Sequence, residues 1–141
     1  MAENPIIVSR FIIEIDKQAM GYFTDVSGLQ AEIDVFLYEE GGENSHVHKL
    51  PGRAKFSNVT LKRGVVSTDN NFWQWIYGAM YGQIQRRPVS IRMLNQDYTD
   101  VRRWDLEGAY PVKWSLSDFK ASDSAVAIET LELAHNGFVP Q

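Results

Sequence analysis

The chain has 141 residues, of which 44% are hydrophobic and 23% charged, with a net charge of −4. That is one domain's worth of chain, expected to span 1–141, with enough apolar material for a core and too little net charge for disorder. Cysteine is absent, which excludes disulfides, thiolate metal sites and cysteine nucleophiles, and the acidic balance leaves no overall nucleic-acid footprint.

The opening MAENPIIVSRF has no cationic run ahead of an apolar core, so no signal peptide is read there. No apolar run approaches the ~20 residues that cross a bilayer. Cytoplasmic synthesis without a membrane anchor is the expectation. RFIIEID then places Phe11, Ile13 and Ile15 on one face and Glu14 and Asp16 on the other. LQAEIDVFLY sets Leu29, Ala31, Ile33, Val35 and Leu37 against Gln30, Glu32 and Asp34. Period two of this kind argues for half-buried antiparallel strands.

Between strand 29–38 and strand 57–63 lies a stretch of different character, read as a long loop at about 39–56. It holds Gly41, Gly42, Glu43, His46, His48, Lys49, Pro51, Gly52, Arg53 and Lys55, and the cations continue at Lys62 and Arg63. A loop longer than ~12–15 residues is usually functional or disordered. NVTLKRG follows, with Val59 and Leu61 facing in, and Lys62 and Arg63 at a strand end where cations blunt a sheet edge.

STDNNFWQWIYGAMYG spaces Phe72, Trp75, Ile76, Ala79 and Met80 as on a helix, over about 70–81. Ser67, Thr68 or Asp69 would cap its start and Gly82 would end it. Its aromatics are expected to cover a sheet. Three more alternating runs follow: Val89, Ile91 and Met93; then Trp104, Leu106 and Tyr110 opposite Asp105 and Glu107; then Val112, Trp114 and Leu116. In VAIETLELAHNGFV the phase changes between Ile128 and Leu131, which a bulge or a twist near Thr130 would explain. The fold class expected is mainly β, a small barrel or split sandwich with one flanking helix.

Reactive chemistry finds little support. His46 and His48 would lie on one side of an extended segment, but two ligands do not make a metal site, and the third would have to be His135 or a distant carboxylate. Asp105 and Glu107 share a face as a catalytic pair would, and equally as any solvated strand does. Asp97 and Asp100 fit a turn better than a calcium loop. No catalytic, cofactor-binding or metal residue is assigned. The basic stretch beside Phe56 leaves a nucleic-acid-binding β-barrel as one reading, and contact with the acidic surface of another subunit as the other.

Several stretches together resemble a known family: GLQAEIDVFLYEEGGENSHVHKLPGRAKFSNVTLKRGVV, FWQWIYGAMYGQIQRRPVSIRMLN, RWDLEGAYPVKWS and AIETLELAHNGF. In order and spacing they look like the tail tube proteins of contractile phage tails and related injection systems. The resemblance covers about 8–138 and is densest over 49–64 and 127–137. It implies a small β-barrel or split sandwich, no enzymatic activity and no cofactor. It further implies hexameric rings stacked into a hollow tube, a surrounding contractile sheath, baseplate, spike and cap or terminator proteins at the ends, and cargo or DNA in the lumen. A tube-initiator or baseplate-adapter ring of the same particle is the alternative.

Joined to that resemblance, the basic stretch becomes an expected contact between subunits or rings, through Gly41, Gly42, Glu43, His46, His48, Lys49, Pro51, Gly52, Arg53, Lys55, Lys62 and Arg63. The acids Glu14, Asp16, Glu32, Asp34, Asp105 and Glu107 are expected to face either the lumen, where like charge repels a phosphate backbone, or the sheath.

Overall fold

The structure, a computed structural model, describes residues 10–38, 48–65, 70–118 and 127–140. Ten strands and one helix lie in that range: β1 (Arg10–Ile15), β2 (Gln18–Phe23), β3 (Asp25–Ser27), β4 (Ala31–Tyr38), β5 (His48–Phe56), β6 (Val59–Gly64), α1 (Asn71–Met80), β7 (Arg87–Leu94), β8 (Asp100–Leu116), β9 (Ile128–Ala134) and β10 (Phe138–Pro140). The fold is mainly β, as the alternation implies.

The principal sheet runs β2-β1-β7-β8-β9-β6-β3, antiparallel throughout, with β10 also on β8. Its two ends, β2 and β3, are separated in sequence only by Thr24. Thr24 donates its backbone N–H to the Lys62 carbonyl at 3.0 Å, so the path closes on itself as a small barrel. The opposite corner is β8. Its first half pairs with β7 and β10 and its second half with β9. Gly108, at φ 58°, and a register shift between Pro111 and Lys113 bend it. The segment around Val112, Trp114 and Leu116 is therefore the far half of this 17-residue strand and not a separate one.

One core cluster fills the barrel. Ile13 and Ile15, Val59 and Leu61, Val89 and Ile91, and Leu131 and Leu133 enter it in period two. Phe72 and Trp75 of α1 enter from the helix side, Phe72 against Phe23 at 5.7 Å between centroids. The helix matches its expected extent. Asn70 is its N-cap, without a side-chain cap bond, and Ser67, Thr68 and Asp69 lie outside the described residues. Gly82, at φ 88°, ends it: the Gly82 N–H bonds to the Ala79 carbonyl and the Gln83 N–H to the Gly78 carbonyl, the paired bonds of a Schellman motif. Met80 is exposed, not in the core.

Two further expectations are corrected. β9 carries no bulge at Thr130: it pairs with β6 without interruption from Val59↔Leu133 to Gly64↔Ile128. The apparent phase change arises because Glu129 shares the buried face with Leu131 and Leu133. Asp16 does not share a strand face with Glu14. It sits with Lys17 in a two-residue turn, at φ 54° and 65°, the positive values that tight hairpins require.

Candidate assembly site

Glu129 is buried because its register partner is Arg63. Arg63 Nε lies 2.8 Å from Glu129 Oε1, and its Nη1 donates to the Met20 carbonyl at 2.8 Å. Its guanidinium lies 4.2 Å from the Phe72 ring centre and 5.4 Å from that of Phe23. Glu129 Oε2 accepts from Trp114 Nε1 at 2.9 Å. Strands β2, β6, β8, β9 and the helix thus meet on one charge pair. At 2% exposure, Arg63 is part of the barrel's interior, so its expected place in a contact between subunits is corrected.

The most conspicuous unsatisfied surface is elsewhere. β4 and β5 pair with each other and with no other described strand, and neither contributes a residue to the core. They form an arm projecting from the β3–β6 corner. The segment expected as a loop over 39–56 is accordingly strand from His48 onward. Gly41, Gly42, Glu43 and His46 lie outside the described residues, while Lys49, Pro51, Gly52, Arg53 and Lys55 lie along β5. The cause is a bulge. Between Ile33↔Ala54 and Val35↔Pro51, the single residue Asp34 faces both Gly52 and Arg53. A Cβ on Gly52 would come 2.9 Å from the Asp34 carbonyl oxygen, so the bulge uses a glycine.

The arm is amphipathic with both faces outside. Ile33, Val35 and Leu37 alternate on one face, 59–63% exposed, a waste of apolar surface unless something covers them. On the other face Lys55 Nζ lies 3.1 Å from Glu32 and 2.9 Å from Asp34. Asp34, then Glu32, hold its ammonium above its ordinary pKa. A lone two-stranded ribbon is marginal in water, and open strand edges invite pairing with another chain.

The root of the arm is closely determined. Gly28 has φ 92°, and a Cβ there would run into the Asn58 carbonyl. Ser57 donates to the Gln30 carbonyl at 3.4 Å. Phe56 packs edge-on to Phe138 at 5.3 Å and against His135 at 5.9 Å, and His135 itself bridges Ser57 and Gly137.

The acids divide between barrel and arm. Glu14 and Asp105 join a network across β1, β7 and β8. Arg92 contacts Glu14 at 2.9 Å and Asp100 at 2.7 Å, and Arg103 contacts Asp105 at 3.1 Å. Asp100 foremost, with Glu14 adding, holds the Arg92 guanidinium charged beyond its ordinary range. Asp16 faces Arg87 at 3.6 Å, Glu32 and Asp34 lie on the arm, and Glu107 is exposed. Most of these carboxylates are thus balanced within the chain.

Reactive groups do not converge. Among the described residues no three His, Asp or Glu gather as metal ligands. A cleft of about 340 Å³ beside α1 is lined by amides, Gln18, Asn71, Gln74, Gln83 and Gln85, with Arg87. With Arg63 buried and Lys55 paired, the basic stretch is a weaker phosphate-binding surface than its composition implies.

Residues 8–139 match the family model described as T4-like virus tail tube protein gp19. Among solved structures, the chain is similar to one in the baseplate of the anti-feeding prophage, with 27% identity over 99% of this chain and 97% of that one and a TM-score of 0.85. It is equally similar to one in the sheath–tube complex of the extracellular contractile injection system PVC, with 27% identity, 99% and 93% coverage and a TM-score of 0.86. Hcp1 from Flavobacterium johnsoniae, 12% identical over 94% of each chain at a TM-score of 0.58, shares the fold. No curated protein sequence matches the chain. The barrel, the helix and the match over nearly the whole length agree: the chain belongs to the tail tube protein family of T4-like viruses and contractile injection systems, and is a tube protein.

Proposed function

We propose that copies of this chain associate head to tail into hexameric rings, and that the rings stack into the hollow inner tube of a contractile injection particle or tail. The observation that carries this reading is the arm: it lies outside the barrel, exposes Ile33, Val35 and Leu37, and supports no part of its own core. A heterologous interface pairs different patches of identical subunits and closes when the rotation closes, and arms reaching from each copy to the next supply such a contact. Lys49, Pro51, Gly52, Arg53 and Lys55 on β5 travel with the arm into the interface, while Lys62 lies on β6 opposite Asp25.

In this reading 1–141 is one tube domain, and its role is structural, not enzymatic. A sheath surrounds the tube, baseplate and spike proteins meet one end and a cap or terminator the other, and cargo or DNA passes through the lumen on contraction. The kinds of assembly in which the similar chains occur support those partners: a baseplate, a sheath–tube complex, a cap and a terminator. Likeness to a chain in a baseplate structure keeps the tube-initiator ring as a second reading. Electron microscopy of the purified full-length chain tests the proposal. Sixfold rings or long tubes are expected, and a strict monomer at high concentration would overturn it. Copy number in native particles separates the main tube from an initiator ring.

A further inference from the structure

The arm's apolar face is wider than β4 alone. Residues directly opposite one another in an antiparallel pair share a face. Ile33 lies opposite Ala54, Val35 opposite Pro51 and Leu37 opposite Lys49, so β5 adds two apolar residues before the first cation. Alternate residues of a strand stand ~6.6 Å apart, and Ile33 to Leu37 spans ~13 Å.

The helix carries a strip of the same length. Phe72 and Trp75 enter the barrel, but Trp73, Tyr77 and Tyr81 are 39%, 50% and 70% exposed. Spaced four apart, these three stack in a row, with ring centroids 5.7 and 4.8 Å apart. Trp114, itself bonded to Glu129, founds the row at 5.0 Å from Trp73. Met80, three residues from Tyr77, lies on the same exposed side. At 1.5 Å per residue, Trp73 to Tyr81 spans ~12 Å, with a ring every ~6 Å. No charged residue occurs from Asn70 to Gln85. Three rings this exposed leave roughly 300 Å² of surface in water, as large as patches that mark interaction sites.

The aliphatic strip and the aromatic strip thus agree in length and nearly in pitch, and a head-to-tail contact requires two such different patches on one chain. Another exposed aromatic pair, Tyr22 and Tyr98, suits the arm less well. The Arg10 guanidinium lies 5.3 and 4.8 Å from their ring centres, a charge that an aliphatic cover would have to desolvate.

We propose that the arm of one copy seats on the α1 ring row of the next copy, with Ile33, Val35 and Leu37 packed along Trp73, Tyr77 and Tyr81. The proposal rests on the reading of the arm as the assembly element and names the surface that receives it.

The test uses the full-length chain, whose lack of cysteine lets thiols be placed singly. Val35→Cys is mixed with Met80→Cys, which leaves the rings intact, and separately with Tyr98→Cys. Each mixture is assembled and treated with a short bis-maleimide. Linked peptides are read by mass spectrometry and assembly by sedimentation. Linkage between positions 35 and 80 should form at least roughly tenfold faster than between 35 and 98, because seating concentrates one thiol around the other. In wild type, hydroxyl-radical labelling of Tyr77, Met80 and Tyr81 should fall several-fold on assembly. Assembly with linkage to position 80 no faster than to position 98 would overturn the seat and leave the assembly reading standing. So would rings equally reactive in the free and the assembled wild-type chain, a result that needs no variant. Rings protected in native particles but not in assemblies of this chain alone would assign the row to another protein and overturn the seat. A wild-type chain that does not assemble would overturn the assembly reading, and the seat with it.

Discussion

Replacing Arg63 by Met removes one partner of the only charge pair in the barrel's described interior. Arg63 and Glu129 are 2% and 6% exposed, and the substitution leaves the Glu129 carboxylate with Trp114 Nε1 and no cation. Breaking a buried pair in this way costs about 3–5 kcal/mol. The lost guanidinium over Phe72 adds ~1 kcal/mol. Against a stability of ~5–15 kcal/mol this is a large fraction, and it corresponds to a fall in Tm of roughly 14–20 °C. The double variant Arg63→Met/Glu129→Gln leaves no charge at this buried site and keeps an acceptor for Trp114. It should recover at least ~2 kcal/mol of the loss. Urea unfolding of the unassembled chain measures both. A single variant within ~1 kcal/mol of wild type, or a double variant no better than the single, would refute the reasoning.

Val35→Asp places a carboxylate on the arm's apolar face; burial of Ile33, Val35 and Leu37 against a neighbour would be worth about 3–5 kcal/mol per contact, so sedimentation should show assembly lost while monomer unfolding stays as in wild type. Gly28→Ala forces a Cβ toward the Asn58 carbonyl at positive φ, and should cost at least ~1–2 kcal/mol in denaturant unfolding. For Lys55 the pKa is raised by Asp34 and Glu32 from its ordinary 10.5. A raised base contributes below its ordinary value and loses that contribution as pH rises past it. Arm proteolysis rates should therefore show no Lys55-dependent change from about pH 6 to about pH 9, and Lys55→Gln, at an exposed site on the arm, should leave barrel unfolding unchanged.

Alternation made β1, β6 and β7 legible because each presents apolar residues at every second position to one core: Ile13 and Ile15, Val59 and Leu61, Val89 and Ile91. The helix was legible for the same reason at its own period. Arg63 and Glu129 were not, because charge ordinarily marks a solvated face. The usable signal was parity: Arg63 continues Val59 and Leu61, and Glu129 precedes Leu131 and Leu133, each on the buried side. β5 was hidden by its Gly52–Arg53 bulge, which breaks the period amid cations, and β8 by the Gly108 and Pro111 punctuation of its bend. β4 was read correctly as an amphipathic strand but not as an exposed one. Alternation reports that a face is made to be covered, and it cannot report that the cover lies outside the chain.

A cryo-electron microscopy map of the assembled protein tests the central claim most directly. The account predicts sixfold rings in which the arm of each copy lies on its neighbour, with Ile33, Val35 and Leu37 covered. An assembly in which the arm stands free in solvent, or in which those three side chains remain exposed, would contradict it.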